Sequence, residues 1–466
     1  MATRIANKSK TVSSAPREKS VFTFLEFFAG GGMVRAGLGD GWRCLFANDF
    51  DPKKAAAYIN NWGDGEIYVG DVRNVREDQL PQSSPDLAWA SFPCQDLSLA
   101  GAGAGLKGDR SGSFWPFWER MTELCASGRA PKMIVLENVA GTLSSHNGTD
   151  FESIIEAFVE LGYDVGAMTI DAQLFVPQSR QRLFFVAVPR GDAPRQLSLL
   201  SDEDEAWRSA ALKRAYNELP QRLQKHWIWW SMPLPPVRNT RFADIIEDAP
   251  ADVSWHTPKE TQKLIGMMSS KNLAKVEEAK LAGRRMVGGM YRRTRTENGK
   301  SVQRVEVRFD DVSGCLRTPG GGSSRQTIFV VDGETVRSRL ISARETARLM
   351  GLPDGYKLPA RYNDAYHLTG DGVVVNVIKY LAEKVLEPHL KRVAAEKART
   401  PKQKPKAPPK PKATATKARD SAAKKTSAKK PVKGKSPKKA KKAKTTRRSK
   451  SAKPRTGASR SRKRAA

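Results

Sequence analysis

The chain has 466 residues and a formal net charge of +32, which is concentrated at one end. Residues 391–466 hold 31 Lys/Arg and 2 Asp/Glu, so they carry +29 and leave +3 for the first 390 residues. A nearly neutral body of that length can bury a large core and form more than one domain. The basic tail contains no aromatic residue, so we predict that it is disordered and binds a polyanion by counterion release.

The composition excludes several classes of protein. The four cysteines form no C-x-x-C pair and the five histidines are scattered, so we expect neither a metal site nor a disulfide framework. No stretch approaches the roughly 20 apolar residues of a membrane span, and residues 1–10 lack the apolar segment of a secretion signal. We expect a reducing compartment that contains nucleic acid: the cytoplasm, on the nucleoid, in a bacterium, or the nucleus in a eukaryote.

After a polar leader at residues 1–20, which we predict to be flexible, short apolar runs alternate with amphipathic segments. The apolar runs predict seven strands, at residues 21–30, 43–49, 66–72, 85–94, 131–139, 163–172 and 182–189. The amphipathic segments predict helices, among them residues 33–41, 51–62, 114–128 and 150–162. This alternation is typical of an α/β fold with a mostly parallel sheet.

The alternation ends after Pro189. Residues 191–340 are polar and irregular, with isolated aromatic residues and an arginine-rich stretch, GRRMVGGMYRRTRT. They predict a second, smaller and irregular domain beside the first domain at residues 21–190. Residues 341–392 contain two further helical patterns and are predicted to return to the first domain, before the tail at 393–466.

The first strand passes into a helix through FFAGGG, residues 27–32. Glycines there allow a ligand to approach the backbone, but the same cluster also suits a tight turn alone. Asp49 ends the second strand 19 residues after Gly30, and Asp71 closes the third. Both suit helix caps or turns, and with Phe28 they also suit an adenosine pocket at the carboxyl edge of the sheet.

Chemically reactive side chains follow the later strands at the same edge. Cys94 follows the fourth strand, Glu137 ends the fifth, and Arg180 and Arg182 enter the seventh. Alternate residues of a strand share one face, so the two arginines can point at one site. Taken singly, the cysteine suits a buried position, the glutamate a helix cap and the arginines surface charge. Their joint placement favours a reactive site beside the pocket.

Six motifs in this order resemble the DNA cytosine methyltransferases that act on carbon 5: FFAGGG, PCQ, ENV, QSRQRLFF, RETARLMG and GDGVVVNV. The resemblance covers roughly residues 20–190 and 340–390. It implies a Rossmann-like methyltransferase sheet, S-adenosyl-methionine as the cofactor and cytosine in double-stranded DNA as the substrate. It also implies that residues 191–340 recognise a short target sequence, and that the protein acts as a monomer on DNA.

The resemblance carries site residues over by motif. Those implied to bind the cofactor are Phe28, Ala29, Gly30, Gly32, Asp49, Phe50, Asp71, Val72, Pro93 and Val374. Those implied to be catalytic are Cys94, Glu137, Arg180 and Arg182. Those implied to contact DNA are Gln95, Ser98, Arg110, Gln178, Arg317, Thr318 and Arg325. In the implied mechanism the base is flipped out, the Cys94 thiolate adds to carbon 6, and Glu137 acts on the ring nitrogen.

One motif departs from the family. The last motif commonly begins glycine-asparagine-serine, whereas this chain has Gly370, Asp371 and Gly372. A carboxylate therefore replaces an amide, which puts any contact of that amide in doubt. The tail resembles those of linker histones and histone-like bacterial proteins, and we expect it to tether the protein to DNA; a solubilising or targeting extension is the alternative.

Three other functions fit parts of the pattern. A tRNA methyltransferase of the same superfamily shares the motifs, and the long recognition segment and basic tail favour DNA only mildly. An inactive architectural protein that binds nucleic acid is disfavoured by the intact Cys94, Glu137, Arg180 and Arg182. A cysteine hydrolase is disfavoured because no histidine lies in a motif near Cys94.

Overall fold

We describe the protein from a computed structural model, for residues 22–93, 113–194, 205–297, 299–318 and 325–399. Seven strands form one sheet in the order β3-β2-β1-β4-β5-β7-β6. Their bounds are β1 Phe22–Phe27, β2 Trp42–Asp49, β3 Ile67–Val69, β4 Leu87–Ala90, β5 Ile134–Val139, β6 Tyr163–Asp171 and β7 Gln181–Pro189. Each lies within or overlaps the run predicted for it, so the expected seven-stranded α/β sheet is confirmed.

The direction of the strands fixes where a ligand can bind. Strands β1 to β5 pair in parallel, and β7 runs antiparallel to both β5 and β6. The order reverses between β1 and β4, since β2 and β3 lie on one side of β1 and the later strands on the other. In open α/β sheets the crevice at such a reversal, outside the carboxyl ends of the strands, is the usual ligand site.

Helices cover both faces of this sheet because its strands alternate apolar side chains between two cores. On β1, Phe24 faces one apolar cluster and Phe27 faces the other. The described helices are Met33–Leu38, Pro52–Trp62, Phe114–Ala126, Thr149–Glu160, Ala210–Glu218, Gln221–Gln224, Pro258–Gly266, Ser270–Leu281, Ala343–Leu349, Tyr362–Asp371, Val375–Leu381 and Glu387–Arg399, the last two joined by a π-helical turn at Ala382–Leu386. Within the described ranges, no helix has the length and apolar character to cross a membrane.

The segment expected to be irregular contains a second sheet. Four antiparallel strands pair in the order β11-β10-β8-β9. Their bounds are β8 Met286–Glu297, β9 Lys300–Arg308, β10 Thr327–Asp332 and β11 Thr335–Leu340. We did not predict β8 from the sequence. This strand is buried only over Val287–Met290, and its arginine-rich second half is exposed. A strand with half its length in solvent lacks the alternation that normally reveals one.

Residues 205–232 pack against the first sheet, although the sequence pattern places them in the second domain. At the edge of β6, the backbone N–H of Val165 donates to the carbonyl of His226, and the N–H of Ile228 donates to the carbonyl of Val165, both at 2.9 Å. The indole of Trp230 donates to the carbonyl of Val186 at 2.8 Å. By packing, this segment belongs with the large sheet.

The C-terminal helices return to the first sheet. The Tyr356 hydroxyl donates to the carbonyl of Gly31 at 2.8 Å, and a Cβ added at Gly37 would lie 2.5 Å from Cβ of Ile378. The final helix continues to Arg399 and buries Val393. The predicted tail boundary at residue 393 is therefore seven residues too early, because helical contacts hold the chain that far. Residues 400–466 lie outside the described residues.

Candidate active site

The glycine motif forms a tight turn between β1 and the helix Met33–Leu38. Phe28, Gly30 and Gly32 all have positive φ, at 59°, 56° and 76°. The backbone N–H of Ala29 bonds to the carbonyl of Asn48 at 2.9 Å, which ties the turn to the end of β2. A Cβ at Gly32 would lie 2.4 Å from the Trp62 indole nitrogen. Both its backbone conformation and its surroundings therefore require glycine.

Asp49 connects this turn to the end of β2. Its carboxylate accepts hydrogen bonds from the backbone N–H of Gly30, at 2.7 Å, and of Asp51, at 2.8 Å. Burial raises the pKa of Asp49 above its usual value, and nearby Lys54 opposes that rise. The carboxyl group is thus held at the predicted edge, next to the glycine turn.

Two apolar side chains stand exposed at the same edge. Phe50 follows Asp49 and is 73% exposed, and Val69, which is opposite Asp49 in the β2–β3 register, is 44% exposed. Exposed large apolar groups in such a position suit a planar ring between them. Three other residues assigned to the cofactor, Ala29, Val72 and Val374, are buried.

Asp71 has the capping role that its sequence position allowed. Its carboxylate accepts from the backbone N–H of Arg73 at 2.9 Å and pairs with the Arg73 guanidinium at 3.0 Å. It starts a short 3₁₀ turn after β3. The side chain is partly exposed, so the cap leaves room for a second partner.

Glu137 and Arg182 form the centre of the candidate reactive site. They lie on adjacent strands, where β5 and β7 pair Val139 with Arg182. Arg182 Nε lies 3.1 Å from Glu137 Oε1, and the Glu137 side chain is only 8% exposed. A carboxyl group so enclosed, with a guanidinium beside it, is fixed in one orientation.

The chain enters the PCQ motif beside this pair. The Asn138 amide donates to the carbonyl of Phe92 at 3.3 Å, and Pro93 follows with an exposed ring. The ENV motif is therefore hydrogen-bonded to Phe92, the residue that precedes the PCQ motif. The remaining predicted residues of this segment, namely Cys94, Gln95, Ser98 and Arg110, lie outside the described residues.

Arg180 connects three segments of the chain. Its guanidinium donates to the carbonyls of Leu316, Gly370 and Gly372, at 3.0, 3.0 and 2.6 Å, and to the sulfur of Cys315 at 3.4 Å. Burial lowers the pKa of Arg180. Arg180 and Arg182 also line one small cavity with Val374, as their alternation predicts. Its contacts give Arg180 a positioning role.

Gln178 does not lie where the sequence placed it. We predicted a DNA contact, but its side chain is fully buried. Its amide donates to the carbonyl of Leu349 at 2.8 Å and accepts from the backbone N–H of Leu316 at 3.0 Å. Both ends of the amide are thus used inside the protein. We correct the assignment: Gln178 joins the backbone at Leu316 to the RETARLMG helix.

A basic cleft of about 830 Å³ lies between the second sheet, the helix Ser270–Leu281 and the segment that carries Arg317. One acidic residue, Glu306, is among its lining residues. The basic lining residues are Lys271, Lys275, Arg292, Arg293, Arg295, Arg308, Arg317 and Arg325. The predicted Arg317 and Arg325 therefore lie in a site whose charge suits a polyanion. Thr318 instead donates its hydroxyl to Asp371.

Two residues near the site were not found by sequence reasoning. Lys54 Nζ lies 2.7 Å from the Asp371 carboxylate, although the two residues are 317 positions apart in the sequence. The carboxylate that replaces the family's amide at Asp371 was the only sequence feature that indicated a charged partner. Cys315 lines the basic cleft. Burial acts to raise the pKa of its thiol, but Arg180 and Arg182 outweigh burial and lower it below its usual value. No metal-binding group of His, Cys, Asp and Glu occurs in the part of the chain described.

The sheet order, the glycine turn with its carboxylate, and the enclosed Glu137–Arg182 pair define an α/β methyltransferase with its reactive site at the carboxyl edge. The chain belongs to the C-5 cytosine-specific DNA methylases, whose family model matches residues 22–387. It is a DNA cytosine-5 methyltransferase.

Curated relatives agree with this family, and a solved structure has a similar fold. The Type II methyltransferase M.HhaI of Haemophilus parahaemolyticus is 26% identical over 364 residues, covering 77% of this chain and 92% of the relative. M.BsuFI of Bacillus subtilis is 28% identical over 363 residues, which cover 77% of this chain and 71% of the relative. The solved structure of the methyltransferase EhMeth of Entamoeba histolytica matches with a TM-score of 0.50 and 14% identity. The match covers 80% of this chain and 98% of that structure. At that identity, the last likeness shows the fold alone.

Proposed function

We propose that the protein transfers a methyl group from S-adenosyl-methionine to carbon 5 of a cytosine within a short sequence of double-stranded DNA, acting as a monomer. The observation that carries this proposal is the Glu137–Arg182 pair, 3.1 Å apart, next to the Asn138–Phe92 bond that leads into the PCQ motif. The bacterial origin of the curated relatives supports a place on the nucleoid rather than in a nucleus.

The edge of β1 to β3 suits the cofactor. The glycine turn gives a ligand access to the backbone, Asp49 offers carboxylate oxygens for ribose hydroxyls, and exposed Phe50 offers a face for adenine. Asp71 is assigned to the adenine amino group. When bound, the cofactor supplies a methyl group on a positively charged sulfur, which a carbon nucleophile can accept.

The chemistry requires the protein to activate carbon 5, because that carbon of cytosine is a poor nucleophile. In our proposal the Cys94 thiolate forms a bond to carbon 6, and Glu137 gives a proton to the ring nitrogen, so that the electron pair is available at carbon 5. After carbon 5 is methylated, a base removes its proton, the bond from carbon 6 to sulfur breaks to release the thiolate, and the proton on the ring nitrogen returns to Glu137. Arg182 orients Glu137 and the pyrimidine carbonyl, and Arg180 holds the segments around them.

The basic cleft is our candidate for the DNA-binding face. Arg317 and Arg325 lie on it, together with the arginines of β8. Phosphate contacts set position and groove contacts set sequence, so the cleft accounts for affinity and its irregular rim for specificity. The target base must leave the stack to reach Glu137, as enzymes that modify a base require.

The decisive test compares substrates. Purified protein is incubated with methyl-labelled S-adenosyl-methionine and either duplex DNA or tRNA, and bisulfite sequencing then locates the methylated cytosines. We expect label at carbon 5 of cytosine in one short DNA sequence. Label in tRNA alone would overturn the assigned substrate, and label in neither would overturn the assigned cofactor.

Glu137→Gln tests the acid. We expect turnover to fall by about 10²–10⁴-fold, because glutamine keeps a hydrogen bond but cannot transfer a proton in the same way. DNA affinity should stay within about twofold of wild type. Steady-state methylation and a gel-shift titration measure the two quantities. Glu119→Gln, at an exposed position of the helix Phe114–Ala126, is the matched control; equal losses in both variants would contradict the role of Glu137.

The basic tail is proposed to bind DNA non-specifically. Deleting residues 400–466 should flatten the dependence of DNA affinity on salt, because each lysine or arginine bound to a phosphate releases a counterion. The methylated sequence should not change. Binding titrations from about 50 to 200 mM salt measure the slope, and an unchanged slope would reject the tether.

A further inference from the structure

Three distant parts of the chain meet around Asp371. Lys54 Nζ lies 2.7 Å from Asp371 Oδ2, and the Thr318 hydroxyl donates to the other oxygen of the same carboxylate. Lys54 belongs to the helix that follows Asp49 and Phe50, whereas Asp371 ends the helix Tyr362–Asp371. Thr318 belongs to the segment that lines the basic cleft through Arg317. A single carboxylate thus joins the cofactor side, the last motif and the recognition segment.

Lys54, Asp371 and Thr318 lie between the glycine turn with Asp49 on one side and the contacts of Arg180 on the other. Lys54 acts electrostatically on Asp49, whose carboxylate holds the glycine turn. On the other side, the carbonyls of Gly370 and Gly372, which flank Asp371, accept hydrogen bonds from Arg180. A displacement of Asp371 would therefore change the position of Lys54 beside Asp49 and the hydrogen bonds of Arg180.

Charge explains why the pair must act together. Burial favours the neutral form of Asp371, but Lys54 and the hydrogen bonds outweigh it and lower the pKa of Asp371 below its usual value. The pKa of Lys54 is raised, because Asp371 outweighs the opposing effect of burial. Either residue without the other leaves a charge that has lost its nearest opposite charge. Removing both leaves none.

We propose that Lys54, Asp371 and Thr318 form a positioning device that aligns the cofactor side of the site with the recognition segment, and that the Lys54–Asp371 ion pair replaces the amide usual in the family. The proposal rests on the cofactor site at Asp49 proposed above. None of the three residues is assigned a contact with the reacting atoms. Their effect is on the placement of Gly370–Gly372 and of the segment that carries Thr318.

A neighbouring ion pair provides a matched control. Lys53 Nζ lies 2.9 Å from Asp364 and joins the same two helices, but the Lys53 side chain is 61% exposed, against 23% for Lys54. Lys53 lies one position from Lys54 and makes no contact with Asp371. A general weakening of the helix–helix contact should appear in both variants, whereas a loss of alignment should appear only at Lys54.

The experiment measures KM for S-adenosyl-methionine, kcat and thermal unfolding for Lys54→Met, Asp371→Asn, the double variant and Lys53→Met. We expect each of the two single variants to raise KM by about tenfold, with kcat and the unfolding temperature nearly unchanged. The double variant should recover most of that loss, because it has an amide and no unpaired charge. Lys53→Met should behave as wild type.

Two outcomes would overturn the proposal. One is a KM of Lys54→Met no higher than that of Lys53→Met. The other is a double variant whose defect equals the product of the single defects, since independent effects on free energy add. Both comparisons require an active wild type, so a failure of the cofactor assignment would be seen separately, as a lack of transfer by wild-type protein. Thr318→Val should raise KM for duplex DNA, and an unchanged value would remove Thr318 from the device.

Discussion

Replacing Cys94 with serine should reduce methyl transfer at least about 10³-fold, the largest loss we expect from any single substitution. A thiol ionises near pH 8.5 and its thiolate is the nucleophile, whereas a serine hydroxyl stays protonated at neutral pH. Cofactor and DNA binding should persist, because Cys94 is assigned to the reaction and not to binding. Labelled transfer, calorimetry with S-adenosyl-methionine and a gel shift with duplex DNA measure the three quantities.

A covalent trap makes this prediction sharper. With 5-fluorocytosine at the target position, fluorine replaces the proton that must leave carbon 5 and cannot itself leave as a cation, so wild-type protein with S-adenosyl-methionine should form a denaturant-stable complex with the DNA. Cys94→Ser should form none. Cys125→Ser is the matched control, because Cys125 lies on the helix Phe114–Ala126 with its sulfur 4.0 Å from the Tyr163 hydroxyl. A stable complex with Cys94→Ser, or its loss with Cys125→Ser, would contradict the nucleophile assignment.

Arg339→Met should destabilise the protein by about 3–5 kcal/mol, the largest stability effect we expect. Arg339 and Glu345 are both fully buried, and the guanidinium donates to the two carboxylate oxygens at 2.6 and 2.8 Å. It also donates to the carbonyl of Glu247 at 2.6 Å and lies over the Trp255 ring. Without Arg339, the Glu345 carboxylate would remain buried with no cation. Urea unfolding measures the free energy.

Two further variants separate the lost charge pair from lost packing. Arg339→Met combined with Glu345→Gln should recover a large part of the loss, because no uncompensated charge remains. Arg337→Met changes an exposed arginine on the same strand that also lies over Trp255, at 4.3 Å, and should cost less than about 1 kcal/mol. If the double variant were as unstable as Arg339→Met, packing rather than charge would explain the effect.

The pair also shows how the second sheet is held to the rest of the protein. Arg339 lies next to the last residue of β11, and Glu345 lies in the RETARLMG helix, which contacts Gln178 through the carbonyl of Leu349. We predicted the helix from its pattern. The pattern did not indicate that its glutamate is fully buried, because a charged residue in a helical pattern is normally assigned to the solvent face.

The contrast between the two sheets shows which patterns are informative. Six strands of the large sheet are largely buried and read as apolar runs, while the short edge strand β3 is only partly buried; all seven were predicted. In the small sheet, Arg292, Arg293 and Arg295 occupy an exposed half-strand. These arginines line the basic cleft, and their charge masked the pattern of the strand that carries them.

By itself the sequence determined the order of the large sheet's strands along the chain, the glycine turn, the position of Asp49 and Glu137 at strand ends, and the family. These properties depend on local periodicity and on motifs, which a single chain segment contains. Only the tertiary structure decided that Gln178 is buried, that Arg180 binds backbone carbonyls of two distant segments, and that Lys54 neutralises Asp371. Those contacts join residues more than 100 positions apart, and no local pattern specifies them, since they exist only once the sheet and the C-terminal helices have packed together.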